Sequence, residues 1–170
     1  MRLIFFKYSV FFVLFLVVGT ARSQDYEKAI KVKGFSGLGV SYKHLTGFEK
    51  GYEVGIHTAD DWESLSFLRI FQRPAFPKIS DKWFLCYGYG THVSFYRSYS
   101  VYNPFKPFDA PRTYNRTFIS PGFDGVVGFE YRMLKNPFLI SFDINANFEI
   151  FGPDYFRVNA YNTVGLAYVF

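Results

Sequence analysis

The chain has 170 residues, 49% of them hydrophobic and 23% aromatic, yet its mean hydropathy is only +0.02, so a heavy apolar load is balanced by an equally heavy polar one. Lys and Arg number 19 against 14 Asp and Glu, but Arg2, Lys7 and Arg22 fall in an N-terminal leader; the remaining 16 against 14, with no basic run, exclude a nucleic-acid partner. The single Cys86 excludes an intramolecular disulfide, and with His44, His57 and His92 on separate segments it forms no zinc-type cluster, so neither metal nor cofactor is expected.

Residues 1–23 have the order of a secretory signal: bases at Arg2 and Lys7, an apolar run from Val10 to Val18, and the small residues Ala21 and Ser23 before Gln24. That run is too short to cross a bilayer comfortably as a helix. The leader is therefore expected to be cleaved, with residues 24–170 forming one exported domain.

After the leader the period is two, not 3.6. "GLGVSYKH" sets Leu38, Val40 and Tyr42 against Gly39, Ser41 and Lys43; "GYEVGIH" sets Tyr52, Val54 and Ile56 against Glu53, Gly55 and His57. "ESLSFLRIF" is strand-like with mixed faces, and its register stays open. "WFLCYGYGTHVSFYR" sends Trp83, Leu85, Tyr87, Tyr89, Val93 and Phe95 one way, and Cys86, Gly88, Gly90, His92 and Ser94 the other.

A long segment from Arg97 to Pro121 follows, rich in proline and aromatics. Tyr99, Tyr102, Phe105, Phe108 and Tyr114 interleave there with Lys106, Arg112 and Arg116, a pattern suited to an anionic lipopolysaccharide, a surface glycan or a partner protein. Beyond it, "GFDGVVGFEYRM" places Val127, Phe129 and Tyr131 opposite Asp124, Glu130 and Arg132. "LKNP" then turns the chain into "NPFLISFDINANFEIFG", where Phe138, Ile140, Phe142, Ile144, Ala146, Phe148 and Ile150 alternate with Ser141, Asp143, Asn145, Asn147 and Glu149. The alternation outlasts the roughly 5 to 6 residues of an ordinary soluble strand and exceeds the roughly 9 to 11 that a tilted strand needs to span a bilayer.

Aromatics on one face and polar groups on the other, repeated along the chain, predict an all-β fold: an antiparallel up-and-down transmembrane β-barrel, most simply of eight strands, with its aromatic face in lipid. Seven runs are legible, at 32–44, 51–58, 64–73, 83–97, 121–133, 138–150 and 157–170. The eighth is expected in "DYEKAIKVKGFSG", turning at Gly34 to Gly37, with "RTYNRTFIS" as the second place. Short turns at one end and longer loops at the other are expected. Eight strands enclose a lumen filled by side chains, which excludes a general porin. Lys43, Glu53, His57, His92, Asp124, Glu130, Arg132, Asp143 and Glu149 fall on the lumen face, where they are expected to pair as a polar plug with no catalytic residue among them.

The last strand, "TVGLAYVF", carries Thr163, Gly165, Tyr168 and Phe170 at the spacing polar, x, Gly, x, x, aromatic, x, aromatic. This resembles the terminal-strand signal read by the outer-membrane barrel assembly machinery. With "GLGVSYKH", "YGYGTHVSFY" and the Gly-x-Asp-Gly-x-x-Gly-x-Glu-Tyr stretch at Gly122 to Tyr131, most of the mature chain resembles the small single-domain outer-membrane barrels common in Bacteroidota, of OmpA or OmpX size. The resemblance implies an outer-membrane location, contact with lipid bilayer and lipopolysaccharide, and a structural or surface-interaction role. Two alternatives stand beside it. One is an outer-membrane lipid-modifying enzyme, of the kind that acylates or deacylates lipid A, built on a histidine such as His92 or His57 with Ser94. The other is a soluble secreted lipocalin-like binding barrel, which would carry its aromatics inside and its charges outside.

Overall fold

A computed structural model describes residues 26–59, 62–97, 99–101, 103, 108, 110–114, 117–133, 135–152 and 155–170. The expected leader lies outside the described residues. Ten strands follow in order: β1 Lys28–Phe35, β2 Leu38–Gly47, β3 Lys50–Ala59, β4 Trp62–Pro74, β5 Trp83–Tyr96, β6 Tyr99–Val101, β7 Arg112–Tyr114, β8 Phe118–Arg132, β9 Phe138–Gly152 and β10 Tyr155–Val169. Eight of them close an antiparallel barrel in the order β1-β10-β9-β8-β5-β4-β3-β2, while β6 and β7 form a separate two-stranded ribbon.

The eighth barrel strand is the one expected in residues 24–37. The legible run at 32–44 is in fact the end of β1 and most of β2, folded back at Ser36 and Gly37. Gly37 has φ +124, a region that side chains rarely adopt, and its missing Cβ would meet the Thr58 carbonyl at 2.6 Å. The second place considered, "RTYNRTFIS", supplies β7 and the start of β8. The 64–73 register is also settled: Ser64, Ser66, Leu68, Ile70 and Gln72 face inward, and Leu65, Phe67, Arg69 and Phe71 outward. Its faces read as mixed because two aliphatic residues pack in the lumen and one arginine stands outside, its guanidinium 5.9 Å from the Phe71 ring.

Stagger follows from the pairing. A row of partners from Lys28 runs through His44, Tyr52, Arg69, Tyr89, Gly125 and Ala146 to Ala160. Lys28 itself exchanges both backbone hydrogen bonds with Phe170, ten residues further along β10. A shear of ten over eight strands tilts them by about 40° and sets a barrel radius of about 8 Å, too narrow for an open channel once side chains fill it.

The expected length asymmetry of the connections is only partly found. At the end holding Phe170, the β2–β3 turn is short and the β4–β5 connection spans residues 75–82. At the far end, three of the four connections take two residues each, and only residues 97–117 are long. Two-residue links suit antiparallel neighbours that are already in register.

Candidate functional site

Polarity is inverted relative to a soluble domain. Ile30, Val40, Ile56, Phe67, Tyr89, Phe123, Phe142, Ile144 and Leu166 are exposed on the outer wall, while Lys31, Lys43, Glu53, Glu130, Asp143 and Glu149 are buried inside. Aromatic pairs ring the wall near the Phe170 end: Trp83 with Tyr131 at 5.0 Å, Phe71 with Tyr87 at 5.6 Å, and Phe138 with Tyr168 at 5.7 Å between centroids. This is the reverse of the lipocalin-like arrangement, and that alternative is set aside.

All nine residues expected on the lumen face lie there, and eight of them, all but His57, form two groups. The ion pairs of the lower group join five strands, β1, β2, β3, β8 and β9. Lys43 Nζ bonds Glu130 Oε1 at 2.8 Å, and Lys31 Nζ stands 3.4 Å from Glu130, 3.7 Å from Glu53 and 3.7 Å from Asp143. Lys33 bonds Glu53, Gln72 accepts from Lys43, and Tyr26 donates to Glu130 at 2.9 Å. Arg132 stacks over the Phe84 ring at 3.4 Å and the Tyr26 ring at 4.6 Å. A glycine makes the room: a Cβ on Gly165 would meet Ser141 Oγ at 2.6 Å and the Lys31 stem at 3.0 Å.

The upper group centres on His92 and Glu149. His92 Nδ1 lies 2.8 Å from Asp124 Oδ1, and its Nε2 lies 3.3 Å from Glu149 Oε1. Glu149 also accepts from the Tyr96 hydroxyl at 2.7 Å and from Arg157, whose guanidinium in turn reaches Tyr96. An imidazole with a carboxylate on each nitrogen is a clamp, since neither nitrogen is left to take a proton from a nucleophile. None of the described hydrogen bonds joins Ser94 to either histidine. His57 stands apart, stacked on Tyr161 at 5.6 Å and edge-on to Trp62 at 5.1 Å, and no carboxylate among the described residues bonds its ring.

Apolar layers close both ends of this polar stack. Tyr26, Ala29, Leu45, Leu139, Ala167 and Val169 form a buried cluster at the Phe170 end, and Tyr96 with Phe151, backed by Trp62 and Phe118, forms another at the far mouth. Sequence reading missed Lys31, Tyr26, Gln72, Tyr96 and Arg157. Lys31 and Arg157 hold lumen-facing places in their strands, but β1 was hidden and the start of β10 shows little contrast between its faces.

In the terminal strand, Thr163 and Gly165 are buried on the lumen side. Tyr168 and Phe170 point outward, their rings 6.1 Å apart. Of the residues in the long connection, Phe108 is fully exposed, and Tyr99, Arg112 and Tyr114 lie in the backbone of β6 and β7. Tyr102, Phe105, Lys106 and Arg116 lie outside the described residues. Arg97 at the root of the ribbon pairs with Glu63 at 3.5 Å, both exposed.

No family model matches the chain, and no curated protein matches it. Among solved structures it is similar to the N-terminal β-barrel domain of Pseudomonas aeruginosa OprF, with a TM-score of 0.52 and 11% identity over 84% of this chain and 95% of that one. A second match is Ail, the attachment invasion locus protein of Yersinia pestis, with a TM-score of 0.43 and 13% identity over 84% and 93%. At such identity the likeness to the OprF domain concerns the fold alone, and the fold is that of a closed eight-stranded antiparallel barrel.

Proposed function

We propose that this protein is an integral outer-membrane β-barrel with a structural or surface-interaction role, no open pore and no catalytic residues. The inverted polarity carries the reading: apolar and aromatic side chains cover the outer wall, and the charged groups are paired inside. Such a wall is stable against hydrocarbon and unstable against water, because exposed apolar surface of this extent drives association in solution. The double carboxylate clamp on His92 supports a non-catalytic lumen over the lipid-modifying alternative.

In this reading Phe170 and Tyr168 anchor the rim on the periplasmic side, and with Thr163 and Gly165 they present the terminal strand to the assembly machinery. On this reading the connection at residues 97–117 belongs to the extracellular side, with lipopolysaccharide, a surface glycan or a protein as its partner. Its aromatic and cationic composition suits such contacts.

The test is membrane fractionation of cells expressing the full chain, followed by electrophoresis with and without boiling. The expected result is outer-membrane recovery and a mobility that changes on boiling. Recovery as a soluble periplasmic protein with no mobility change overturns the reading.

A further inference from the structure

The far rim is not level. At the tilt set by the shear, each residue rises about 2.5 Å along the axis and each step round the barrel about 3 Å. The strand ends beside Phe170 then lie at similar heights. The β1–β2 turn, however, stands only about 18 Å above Lys28, whereas the start of β10 stands about 35 Å above it. β1 and β10 are neighbours, so the whole drop falls at one seam.

At this seam β10 loses its partner. The pairing with β1 ends at Phe35 opposite Thr163, and the Ser36 hydroxyl donates to the Asn162 carbonyl at 3.0 Å as the last link. Phe35 is held at φ 100 to make that end, a conformation that a bulky side chain seldom adopts. Since Phe170 bonds toward β1 and Val169 toward Pro137, the even residues of β10 direct their backbone N–H and C=O to the β1 side. Ala160 and Val158 are the next even residues, and no described strand pairs with them there. Unpartnered backbone does not face hydrocarbon, so this edge needs a polar occupant.

Behind the edge lies a polar cavity of about 50 Å³, whose lining includes Lys33, His57, Asp124, Asn147 and Tyr161. Both ring nitrogens of His57, Asp124 Oδ2 and Asn147 Oδ1 are buried there without a hydrogen-bond partner. The lips of the seam are apolar: Phe35 is 82% exposed, Leu38 67% and Val158 70%. A polar chamber that reaches Lys33 on β1 and Tyr161 and Thr163 on β10, beside apolar lips at the depth of the outer leaflet, fits a molecule with a polar head and an acyl tail.

We propose that the seam between β1 and β10 is a lateral binding site for a single-chain amphiphile with a small hydroxyl-bearing head group. The head enters the chamber and donates to Asp124 and Asn147 while hydrogen-bonding His57, and the tail stays in lipid along Phe35 and Leu38. An anionic head is disfavoured by the Asp124 carboxylate oxygen. A chamber of this size takes the place of about three or four waters, which suits a glycerol-like head and no larger sugar. A second copy of the chain does not fit the edge: two parallel barrels related by a two-fold axis would cross their β10 strands at about 80°, and no ladder forms at that angle.

The inference rests on the barrel spanning a bilayer, and the experiment separates the two. The barrel is folded in dodecylphosphocholine micelles and followed by amide NMR during titration with 1-monooleoylglycerol, with glycerol alone in a parallel arm. Before titration, the Val158 and Ala160 amides are expected to exchange hydrogen at least about tenfold faster than Val164 and Leu166. Monooleoylglycerol should shift them saturably and slow their exchange, glycerol should not, and His57→Phe should weaken the binding by about tenfold while keeping the barrel spectrum.

Four results overturn the site: equal protection of Val158 and Val164 before titration, no saturable shift, the same shift with glycerol, or unchanged binding by the His57→Phe barrel. Absence of any dispersed barrel spectrum in micelles overturns the membrane reading instead.

Discussion

Lys43 Nζ lies 2.8 Å from Glu130 Oε1, and the two residues stand on β2 and β8, four steps apart in a ring of eight and hence on opposite walls of the barrel. Both side chains are about 1% exposed, so a single ion pair braces the full width of the lumen. Lys31 shares the same carboxylate from a third strand. Glu130→Ala therefore leaves two buried ammonium groups short of an acceptor, and a loss of about 3–5 kcal/mol is expected. Urea unfolding of the refolded protein in lipid vesicles measures it. Adding Lys43→Met to Glu130→Leu should recover part of the loss, because Lys31 still keeps Glu53 and Asp143.

Depth on the outer wall has its own energetic signature. Ile144 sits near mid-height on β9 and faces outward, whereas Ile119, also outward, is near the far rim on β8. If the wall meets hydrocarbon, Ile144→Arg costs about 2–4 kcal/mol and Ile119→Arg about 0–1, read from the same unfolding experiment. Equal small costs at both sites would mean a water-facing wall.

Filling a lumen glycine should disturb the upper clamp. A Cβ on Gly122 would run into the His92 ring and the Phe148 carbonyl. Gly122→Val is expected to destabilise the barrel by about 1–3 kcal/mol and to displace the His92 ring from Asp124, visible as a changed imidazole NMR signal.

The two apolar seals and the paired charges between them predict electrical silence. Planar bilayers carrying the purified protein should show no steady unitary current. Glu130→Ala, which loosens the brace without removing either seal, should leave them silent. Sustained ion-selective steps from the unaltered chain would contradict a filled lumen.

Phe170 bears on assembly. Its backbone is already tied to Lys28 through both hydrogen bonds, so Phe170→Ala removes the ring without breaking the ladder. If the terminal pattern is what the assembly machinery reads, the variant should accumulate at several-fold lower level in the outer membrane yet refold in vitro much as the parent does. Comparing immunoblots of fractionated cells with refolding yields in detergent checks this.

The period of two was enough to identify most of the barrel strands and, outside β4, the face that their side chains take. Lys43, Glu53, Glu130, Asp143 and Glu149 could be placed in the lumen because each alternates with apolar neighbours that take the outer wall. The turn at Ser36 and Gly37 was harder to read. The run from 32 to 44 stays strand-like on both sides of it, and the lysines of β1 mask its apolar face of Ile30 and Val32. The register of β4 was hidden for the converse reason, since Leu68 and Ile70 pack in the lumen and Arg69 shields itself on Phe71.

Alternation by itself thus determined that this chain folds into long strands with an apolar outer face and a charged inner one, because side-chain direction along a strand is a purely local property. Only the tertiary structure decided the stagger of ten residues, the reach of Lys43 to Glu130 across the lumen, the clamp of His92 between Asp124 and Glu149, and the unpaired upper length of β10 at the low β1–β2 turn. All four depend on which strands meet and at what offset, and that is fixed when the last strand closes against the first, between residues separated by most of the chain.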